Sequence, residues 1–296
     1  MTLTDAQWRS LIDARIDDPT RAAELLRRRK RRPLLRDGRL FIVAADHTAR
    51  GMLGVGNDPF AMADRRRLLG ALVTALRHDG CDGVLGSADV IDELALLGAL
   101  DDKLVFGTMN RGGIMGASWE LDDRMTAYRP LDIAQRGLDG GKVLLRLAND
   151  DAGTAPTLEA CARAVTEMAN LGLPIMVEPL PYRGGVPGPA KLIDDNDLLV
   201  KAVSIASGLG SVSAHTWLKV PAASEVERMM AATTLPGLIL GGAPGPDPEA
   251  TYSSWERAMR VPNIRGLVVG RALLFPQDGN VERAIDRAAR IVRPTL

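Results

Sequence analysis

The stretch GKVLLRLANDDAGTAPTLEACARAVTEMANLGLPIMVEP, residues 141–179, contains one complete strand–helix–strand unit. Apolar residues are nearly continuous over 141–147 and 173–179, and they recur at helical spacing over 157–172. A continuous apolar run, unlike an alternating one, indicates a strand that is covered on both faces, as in a parallel sheet. The unit therefore predicts two parallel strands joined by a helix.

The same rhythm runs from residue 39 to the end of the chain, with helical patterns such as 64–80 and 281–292 between short apolar runs. The predicted strands are 39–46, 82–87, 103–108, 141–147, 173–179, 214–220, 237–242 and 266–271. Eight strands, each followed by a helix or a helical loop, predict a (β/α)8 TIM barrel of the α/β class. A doubly wound sheet is the alternative, but the sequence contains neither G-x-G-x-x-G nor G-x-x-x-x-G-K-[ST].

Three glycines mark the ends of predicted helices. Gly80, Gly137 and Gly172 each stand between a helical pattern and the next strand. Glycine adopts the left-handed conformation of a helix C-cap without steric cost. We therefore expect all three to be C-cap residues.

A helical extension, residues 1–38, is predicted to precede the barrel of residues 39–296. Residues 4–30 have apolar side chains at helical spacing, and Asp5 is a candidate N-cap. The run RRRKRRP, residues 27–33, ends this helix. We interpret its cations as a solvated helix end that complements the helix dipole, in preference to a nucleic-acid-binding patch.

The composition excludes several classes of protein. The formal net charge is zero and the pI is about 6.9, so no overall charge favours nucleic acid or an acidic membrane as a partner. Cys81 and Cys161 are too few and too far apart for a disulfide framework or a zinc site. The sequence has no signal-peptide pattern at residue 1 and no apolar run of about 20 residues. We expect a cytoplasmic globular protein.

Functional residues in a TIM barrel gather at the C-terminal ends of the strands. Polar residues, ionisable residues or glycines follow the apolar run at each of those ends in this chain. They are Asp46 and His47, Ser87, Thr108, Arg146, Glu178, Lys219, Gly241 and Gly242, and Gly270 and Arg271. We therefore expect these residues to surround one site.

The last two strand ends predict a phosphate site. Small residues at Gly241, Gly242 and Gly270 let backbone N–H groups converge on an anion, at the usual phosphate position of this fold. Arg271 adds a planar guanidinium for the phosphate oxygens. The alternative is that the glycines only permit tight turns.

Lys219 is the candidate nucleophile. Only six of the 37 basic residues are lysine, and a lysine amine, unlike a guanidinium, can lose its proton and attack carbon. Lys142 is placed as a second cation, Glu178 as an acid or base, and Asp46 as a ligand of substrate hydroxyls or a proton relay. The alternative for Lys219 is a lysine that is only ion-paired or extends its charge towards solvent.

A metal-dependent mechanism is the main alternative to attack by the Lys219 amine. Of the three histidines, only His47 lies at a strand end, since His78 ends a helix and His215 begins a strand. We therefore expect no three-histidine zinc site, no metal and no cofactor, although a carboxylate-bound magnesium stays open. His47 is instead expected to contact substrate.

Two glycine-rich loops follow the first and third strands. Residues 47–59 and 109–120 face the same predicted mouth and are either lids over a small ligand or simply long surface loops. In the second loop, Asn110, Arg111 and Trp119 are candidate substrate contacts.

The motifs AADH, KVLLRLAND, VEPLPY, LKVP and VVGRALLFP occur in this order between residues 39 and 276. In this they resemble the class I (Schiff-base) aldolases of the bacterial fructose-bisphosphate and tagatose-bisphosphate type, which are (β/α)8 enzymes. The resemblance implies that Lys219 forms the imine, that Lys142 is functional, and that Glu178 is an acid or base. It also implies a phosphate site at Gly270 and Arg271, a sugar phosphate as partner and a homo-oligomer.

The sequence is also similar to a subgroup of these barrels associated with inositol catabolism. That resemblance implies cleavage of 2-deoxy-5-keto-gluconate 6-phosphate into dihydroxyacetone phosphate and a three-carbon semialdehyde. Arg111 or Arg146 is then expected to bind the substrate carboxylate. A fructose, tagatose or sulfosugar phosphate, an isomerase without an imine, and a sugar-phosphate sensor are the alternatives.

Overall fold

Eight parallel strands form a closed barrel in the computed structural model, which describes residues 2–184, 189–242, 245 and 247–294. The barrel strands are β1 (Leu40–Ala45), β2 (Gly83–Gly86), β3 (Leu104–Thr108), β4 (Gly140–Leu147), β5 (Ile175–Arg183), β7 (Thr216–Val220), β8 (Gly237–Leu240) and β9 (Ile264–Val269), and the short antiparallel strand β6 (Lys191–Leu192) lies outside the ring. Their order is β4-β3-β2-β1-β9-β8-β7-β5, and pairing of β4 with β5 closes the ring. The predicted TIM barrel is confirmed.

Helices cover the outside of this barrel. They are α1 (Asp5–Asp17), α2 (Arg21–Arg28), α3 (Arg65–Arg77), α4 (Ala88–Leu96), α5 (Pro130–Gln135), α6 (Thr154–Asn170), α7 (Asn196–Ser207), α8 (Val226–Met230), α9 (Pro248–Ala258), α10 (Arg271–Leu274) and α11 (Val281–Val292). The last coincides with its predicted range. Within the described ranges, no helix has the length and hydropathy that crossing a membrane requires.

Side-chain alternation divides the buried residues into two layers. One set of strand residues, including Ile42, Phe106, Met176 and Leu238, packs together in the barrel interior. The other set, which includes Val43, packs outward against the helices. Because the parity is kept along each strand, the same inward positions continue to the C-terminal mouth.

Strand β5 is longer than predicted, because it continues past residue 179 to Arg183. Beyond Val177 it is no longer paired with β7, and Pro179 and Pro181 lie in this part. Prolines are tolerated where one side of a strand has no partner to bond. Tyr182 then pairs with the two-residue antiparallel strand β6.

The prediction of one helix over residues 4–30 is wrong. The structure has α1 and α2, with a break at Asp18 and Pro19, because a proline disfavours helical geometry in the residue before it. The N-cap is also corrected. Thr4, not Asp5, caps α1, and it forms a capping box with Gln7.

The interpretation of the basic run as a solvated helix end is wrong for two of its residues. Arg29 and Arg32 are buried, because α2 ends before them and the chain then crosses the barrel floor. Arg32 pairs with Asp82 at 2.6 Å, and Arg29 pairs with Asp139. These ion pairs attach the N-terminal segment to the starts of two strands.

Each of those aspartates also caps the backbone of a neighbouring strand. Asp82 accepts a hydrogen bond from the N–H of Phe41 at 2.7 Å, and Asp139 accepts one from the N–H of Val105 at 2.8 Å. Arg293 donates to Asp82 at 2.8 Å from the C-terminal end of the chain. These contacts lie at the N-terminal ends of the strands, which form the floor of the barrel. They attach residues 29–32 and Arg293 to it.

The prediction of C-cap glycines is confirmed at two of three positions. Gly137 and Gly172 have φ values of 69° and 68°. Gly80 is not among the residues with positive φ, so it is not a left-handed C-cap. A Cβ at Gly80 would lie 2.6 Å from the Cβ of Ala289, so the close approach of α11 is what excludes a side chain there.

Candidate active site

Inward-facing side chains of four strands meet in the barrel mouth. Thr108 ends β3 and is the register partner of Lys142 on β4, and Leu144 is the partner of Glu178 on β5. Lys219 lies on β7, next to β5 around the barrel. Since inward positions at one height converge on the axis, residues far apart in sequence become neighbours.

The carboxylate of Glu178 bridges two lysines. Its Oε1 accepts a hydrogen bond from Nζ of Lys219 at 2.9 Å, and its Oε2 is paired with Nζ of Lys142. All three side chains are buried. Burial alone would raise the pKa of Glu178, but the two ammonium groups outweigh it and lower that pKa to about 2. Glu178 is therefore ionised at neutral pH.

Asp46 forms the next link, directly after β1. Its Oδ2 accepts hydrogen bonds from Lys142 at 3.4 Å, from Thr108 at 3.2 Å and from Arg111. Burial opposes ionisation of Asp46, but Arg111 and Lys142 hold its pKa well below the ordinary value. The site is thus a chain of alternating charge from Lys219 through Glu178, Lys142 and Asp46 to Arg111.

Lys142 occupies the centre of this chain. Burial lowers its pKa to about 8, although Asp46 and Glu178 favour the charged form. An amine with this pKa is mainly protonated at neutral pH but can give up its proton readily. The arrangement therefore contains an acid within reach of the Glu178 carboxylate.

The predicted phosphate residues lie beside this chain, after β8 and β9. A Cβ at Gly270 would be 2.4 Å from the carbonyl oxygen of Ala44 and 2.8 Å from His47, so only glycine fits there. Gly242 has a φ of 64°, and Gly241 packs against Val269. Each glycine thus has a packing or backbone reason to be present, whether or not it also binds an anion.

Arg271 differs from the other arginines of the mouth. The residue is half-buried, and in the part of the chain that the structure describes its guanidinium has neither an ion pair nor a hydrogen-bond partner. His47, beside it, has a buried Nδ1 without a hydrogen-bond partner among the described residues. Burial lowers the pKa of His47 to about 3, and Asp46 only partly offsets this. His47 is therefore neutral.

Arg146 lies in a second, electrically balanced cluster of four buried ions. It pairs with Glu120 at 2.8 Å and approaches Asp123 at 3.6 Å, and Asp123 in turn pairs with Arg50. The ring of Tyr182 covers the Arg146 guanidinium, with 5.6 Å between that group and the ring centre.

The sequence reasoning missed Arg50, Glu120, Asp123 and Tyr182. They lie outside the apolar runs or past the expected end of β5. Tyr182 alone had a signal in the sequence. It follows Glu178 by four residues on the same strand, so both side chains should point into the barrel.

The two predicted lid loops are connected to each other by Arg50. From the first loop, its guanidinium donates to the carbonyl oxygens of Gly113 at 2.9 Å and Asn110 at 2.5 Å in the second loop. The N–H of Met115 donates back to the carbonyl of Arg50 at 3.1 Å. The loops are thus held together by a buried cation.

Three residues of the second loop were predicted to contact substrate. Asn110 is fully buried and exchanges two hydrogen bonds with the backbone of Leu144, at 2.6 and 2.8 Å, so it extends the pairing of β3 with β4. Trp119 is largely exposed at the surface. Arg111 alone reaches the chain of charges.

The charges of the inner site do not cancel. Lys219, Lys142, Arg111 and Arg271 oppose two carboxylates, which leaves two net positive charges with His47 neutral. Such an excess in a partly buried mouth attracts an anion. Among the described residues, no group of three or more His, Cys, Asp or Glu side chains is placed to hold a metal ion.

Several known structures share this fold. Cgl0159 from Corynebacterium glutamicum (Brevibacterium flavum) is 49% identical, with a TM-score of 0.96 over 99% of each chain. A Schiff base forming fructose-1,6-bisphosphate aldolase is 18% identical, with a TM-score of 0.63 over 92% of this chain and 99% of its own. A fructose-bisphosphate aldolase from Slackia heliotrinireducens DSM 20476 is 16% identical, with a TM-score of 0.61 over 97% of this chain and 84% of its own.

At the low identities of the two aldolases, the similarity shows a shared fold. Comparison with curated proteins finds no match. The model of the Cgl0159-like family, in contrast, matches residues 38–289, which is nearly the whole barrel. Together with the 49% identity to Cgl0159 over the full length, this match shows that the chain belongs to the Cgl0159-like family.

Proposed function

We propose that this protein is a metal-independent class I aldolase. It cleaves a ketose phosphate into dihydroxyacetone phosphate and an aldehyde, through an imine on Lys219. The observation that carries the proposal is the buried Glu178 carboxylate, which bridges the amines of Lys219 and Lys142. The fold shared with a Schiff base forming aldolase supports the same chemistry.

Phosphate binding would fix the substrate. Arg271 has no carboxylate partner among the described residues, and the inner site has two positive charges in excess. A phosphate dianion matches that excess, and a guanidinium binds its oxygens in a planar, two-point arrangement. Backbone N–H groups near Gly241, Gly242 and Gly270 would complete the phosphate site.

Imine formation would use the two lysines and the carboxylate between them. Lys219 passes its proton to Glu178 and the freed amine attacks the ketone carbon. The carbinolamine then loses its hydroxyl as water, with a proton supplied by Lys142. With a pKa of about 2, Glu178 is a poor base on its own, but it contacts both amines and can pass a proton between them. The product is an iminium ion on Lys219.

Carbon–carbon cleavage would follow from the iminium ion. The bond between the α and β carbons breaks, and its electrons move to the iminium nitrogen to give an enamine. The β-hydroxyl loses its proton to the Glu178–Lys142 pair and becomes the carbonyl of the released aldehyde, while Asp46 orients that hydroxyl. Protonation of the enamine carbon and hydrolysis of the imine then release dihydroxyacetone phosphate.

The best candidate substrate is 2-deoxy-5-keto-gluconate 6-phosphate. Of the two arginines expected to bind its carboxylate, Arg146 is favoured for a single contact. Its Nη atoms donate to Glu120 and Gly113, but its buried Nε has no hydrogen-bond partner among the described residues. The Nε of Arg111, in contrast, already donates to Thr108 at 2.8 Å. Fructose, tagatose and sulfosugar phosphates are the alternatives.

A substrate panel tests this proposal. Each ketose phosphate is incubated with the protein and with its Lys219→Met variant, with and without EDTA, and release of dihydroxyacetone phosphate is followed with a coupled dehydrogenase. We expect release from one member, unaffected by EDTA and absent in the variant. Interconversion without cleavage would instead indicate an isomerase, and binding without turnover would indicate a sensor. Either result would overturn the aldolase assignment.

A further inference from the structure

Among the described residues, the Arg111 side chain donates its hydrogen bonds to Asp46 and Thr108. Its Nε donates to the Thr108 hydroxyl at 2.8 Å, its Nη1 donates to the backbone carbonyl of Asp46 at 3.0 Å, and its Nη2 is paired with the Asp46 carboxylate. The side chain is buried. Each of the three guanidinium nitrogens thus has a partner inside the protein, and three of its five N–H donors are used there.

Thr108 completes the arrangement. Its hydroxyl accepts from Arg111 and donates to Oδ2 of Asp46 at 3.2 Å. Because a hydroxyl carries a single proton, accepting from Arg111 leaves that proton for Asp46. Arg111 and Thr108 therefore act on the same carboxylate oxygen from the same strand end.

The two oxygens of Asp46 are used very differently as a result. Oδ2 accepts hydrogen bonds from Arg111, Thr108 and Lys142. In the described part of the chain Oδ1 accepts none, and it lies 3.8 Å from Nδ1 of His47, beyond hydrogen-bond distance. One oxygen is thus fixed by the protein, and the other keeps its full capacity to accept a hydrogen bond.

Lys142 is shared between two carboxylates. Lys142 faces Asp46 on one side at 3.4 Å and Glu178 on the other at shorter distance, with Lys219 beyond Glu178. Because Arg111 and Thr108 already satisfy Oδ2, the ammonium group gains more from Glu178. Without Arg111, Asp46 would become a strong competitor for Lys142.

We propose that Arg111 is a positioning residue, which fixes the Asp46 carboxylate so that Oδ1 is free for a substrate hydroxyl and Lys142 stays paired with Glu178. The part that concerns a substrate hydroxyl rests on the proposed aldolase function. The part that concerns Asp46 and Lys142 does not. A planar guanidinium is required, because its three nitrogens reach three separate acceptors. The single ammonium group of a lysine cannot donate to the Thr108 hydroxyl and to both the carbonyl and the carboxylate of Asp46 at once.

Crystal structures of Arg111→Met and Arg111→Lys test the geometry, whether or not the protein is an aldolase. We expect the Asp46 carboxylate to turn, and Lys142 to move from Glu178 to Asp46, in both variants. Arg146→Lys is the matched control, since Arg146 is equally buried but contacts Glu120 instead of Asp46. Unchanged positions of Asp46 and Lys142 in the Arg111 variants would overturn the proposal.

Kinetics on an identified substrate test the consequence. With Asp46 misplaced, we expect kcat to fall by about 100-fold, KM to change by less than about threefold, and lysine at residue 111 not to restore the rate. A large increase in KM at unchanged kcat would make Arg111 a substrate ligand and overturn the positioning role. If the wild-type protein cleaves no ketose phosphate, the proposed function fails, but the structural test above still decides the role of Arg111.

Discussion

Glu178 and Lys219 are 41 residues apart in the sequence, yet their side chains meet at 2.9 Å inside the barrel. The second carboxylate oxygen of Glu178 is paired with Lys142, so one buried anion serves two amines. In the proposed reaction, this relationship connects the attacking amine of Lys219 to a group that can exchange protons.

Replacing the bridging carboxylate should slow the reaction without removing the nucleophile. Glu178→Gln keeps the shape of the side chain but loses the charge and the proton relay, so we expect the cleavage rate to fall by about 10² to 10⁴. Lys219 should still form some borohydride-trappable imine. Glu167→Gln, at an exposed position of α6, is the control and should match the wild type. A Glu178→Gln rate within threefold of the wild type would contradict the relay.

Lys142 should leave a signature in the pH dependence of stability. Its pKa is about 8 in the folded protein against 10.5 in the unfolded chain, so the unfolded chain binds more protons between these values. Stability from this group therefore rises with pH from about 8 to 10.5, by on the order of 3 kcal/mol. Denaturant unfolding across this range should show the rise in the wild type, relative to Lys142→Met.

The control for this experiment is Lys201→Met, since Lys201 is exposed on α7 and should leave the rise unchanged. If the wild type and Lys142→Met have parallel stability curves between pH 8 and 10.5, the pKa of Lys142 is not lowered in the folded protein.

Arg271 should control affinity for the phosphate group. Arg271→Met removes a cation with no carboxylate partner among the described residues, so we expect KM to rise about 10- to 100-fold, with a smaller effect on kcat. Arg265→Met is a matched control, because Arg265 is exposed near the opposite end of β9. Equal effects of the two substitutions would place the phosphate elsewhere.

The floor of the barrel should matter for stability more than for catalysis. Asp82→Asn breaks a buried pair with Arg32 and weakens the contact with Arg293, so we expect a loss of about 3–5 kcal/mol in the free energy of unfolding. The exposed pair of Asp286 and Arg290 provides the control, for which Asp286→Asn should have little effect, because solvent screens the pair. Similar losses in both variants would show that burial of the floor pair adds nothing.

The barrel could be predicted because its signal is local. Each strand is a short apolar run, helical patterns lie between these runs, and no long-range information is needed to count eight units. The positions of Lys142, Glu178 and Lys219 followed from the same rule, since they are inward residues near strand ends. Their roles stay proposals until they are tested.

What the sequence could not predict depends on contacts between distant segments. Arg29 and Arg32 look like a solvated basic run, and only their pairing with Asp139 and Asp82 shows that they are buried. Arg50 and Asp123 lie in loops without periodicity, so no pattern indicates that they pair. Gly80 resembled a helix C-cap, but the approach of α11, about 200 residues later, is what requires it.

Borohydride trapping tests the central claim most directly. The protein is incubated with dihydroxyacetone phosphate and reduced, and the added mass is located by peptide mass spectrometry, with Lys219→Met and Lys142→Met treated in parallel. We predict an adduct on Lys219 that is absent in Lys219→Met and still forms, more slowly, in Lys142→Met. An adduct on Lys142 instead, or no adduct while binding is still detected, would contradict the assignment of Lys219 as the nucleophile.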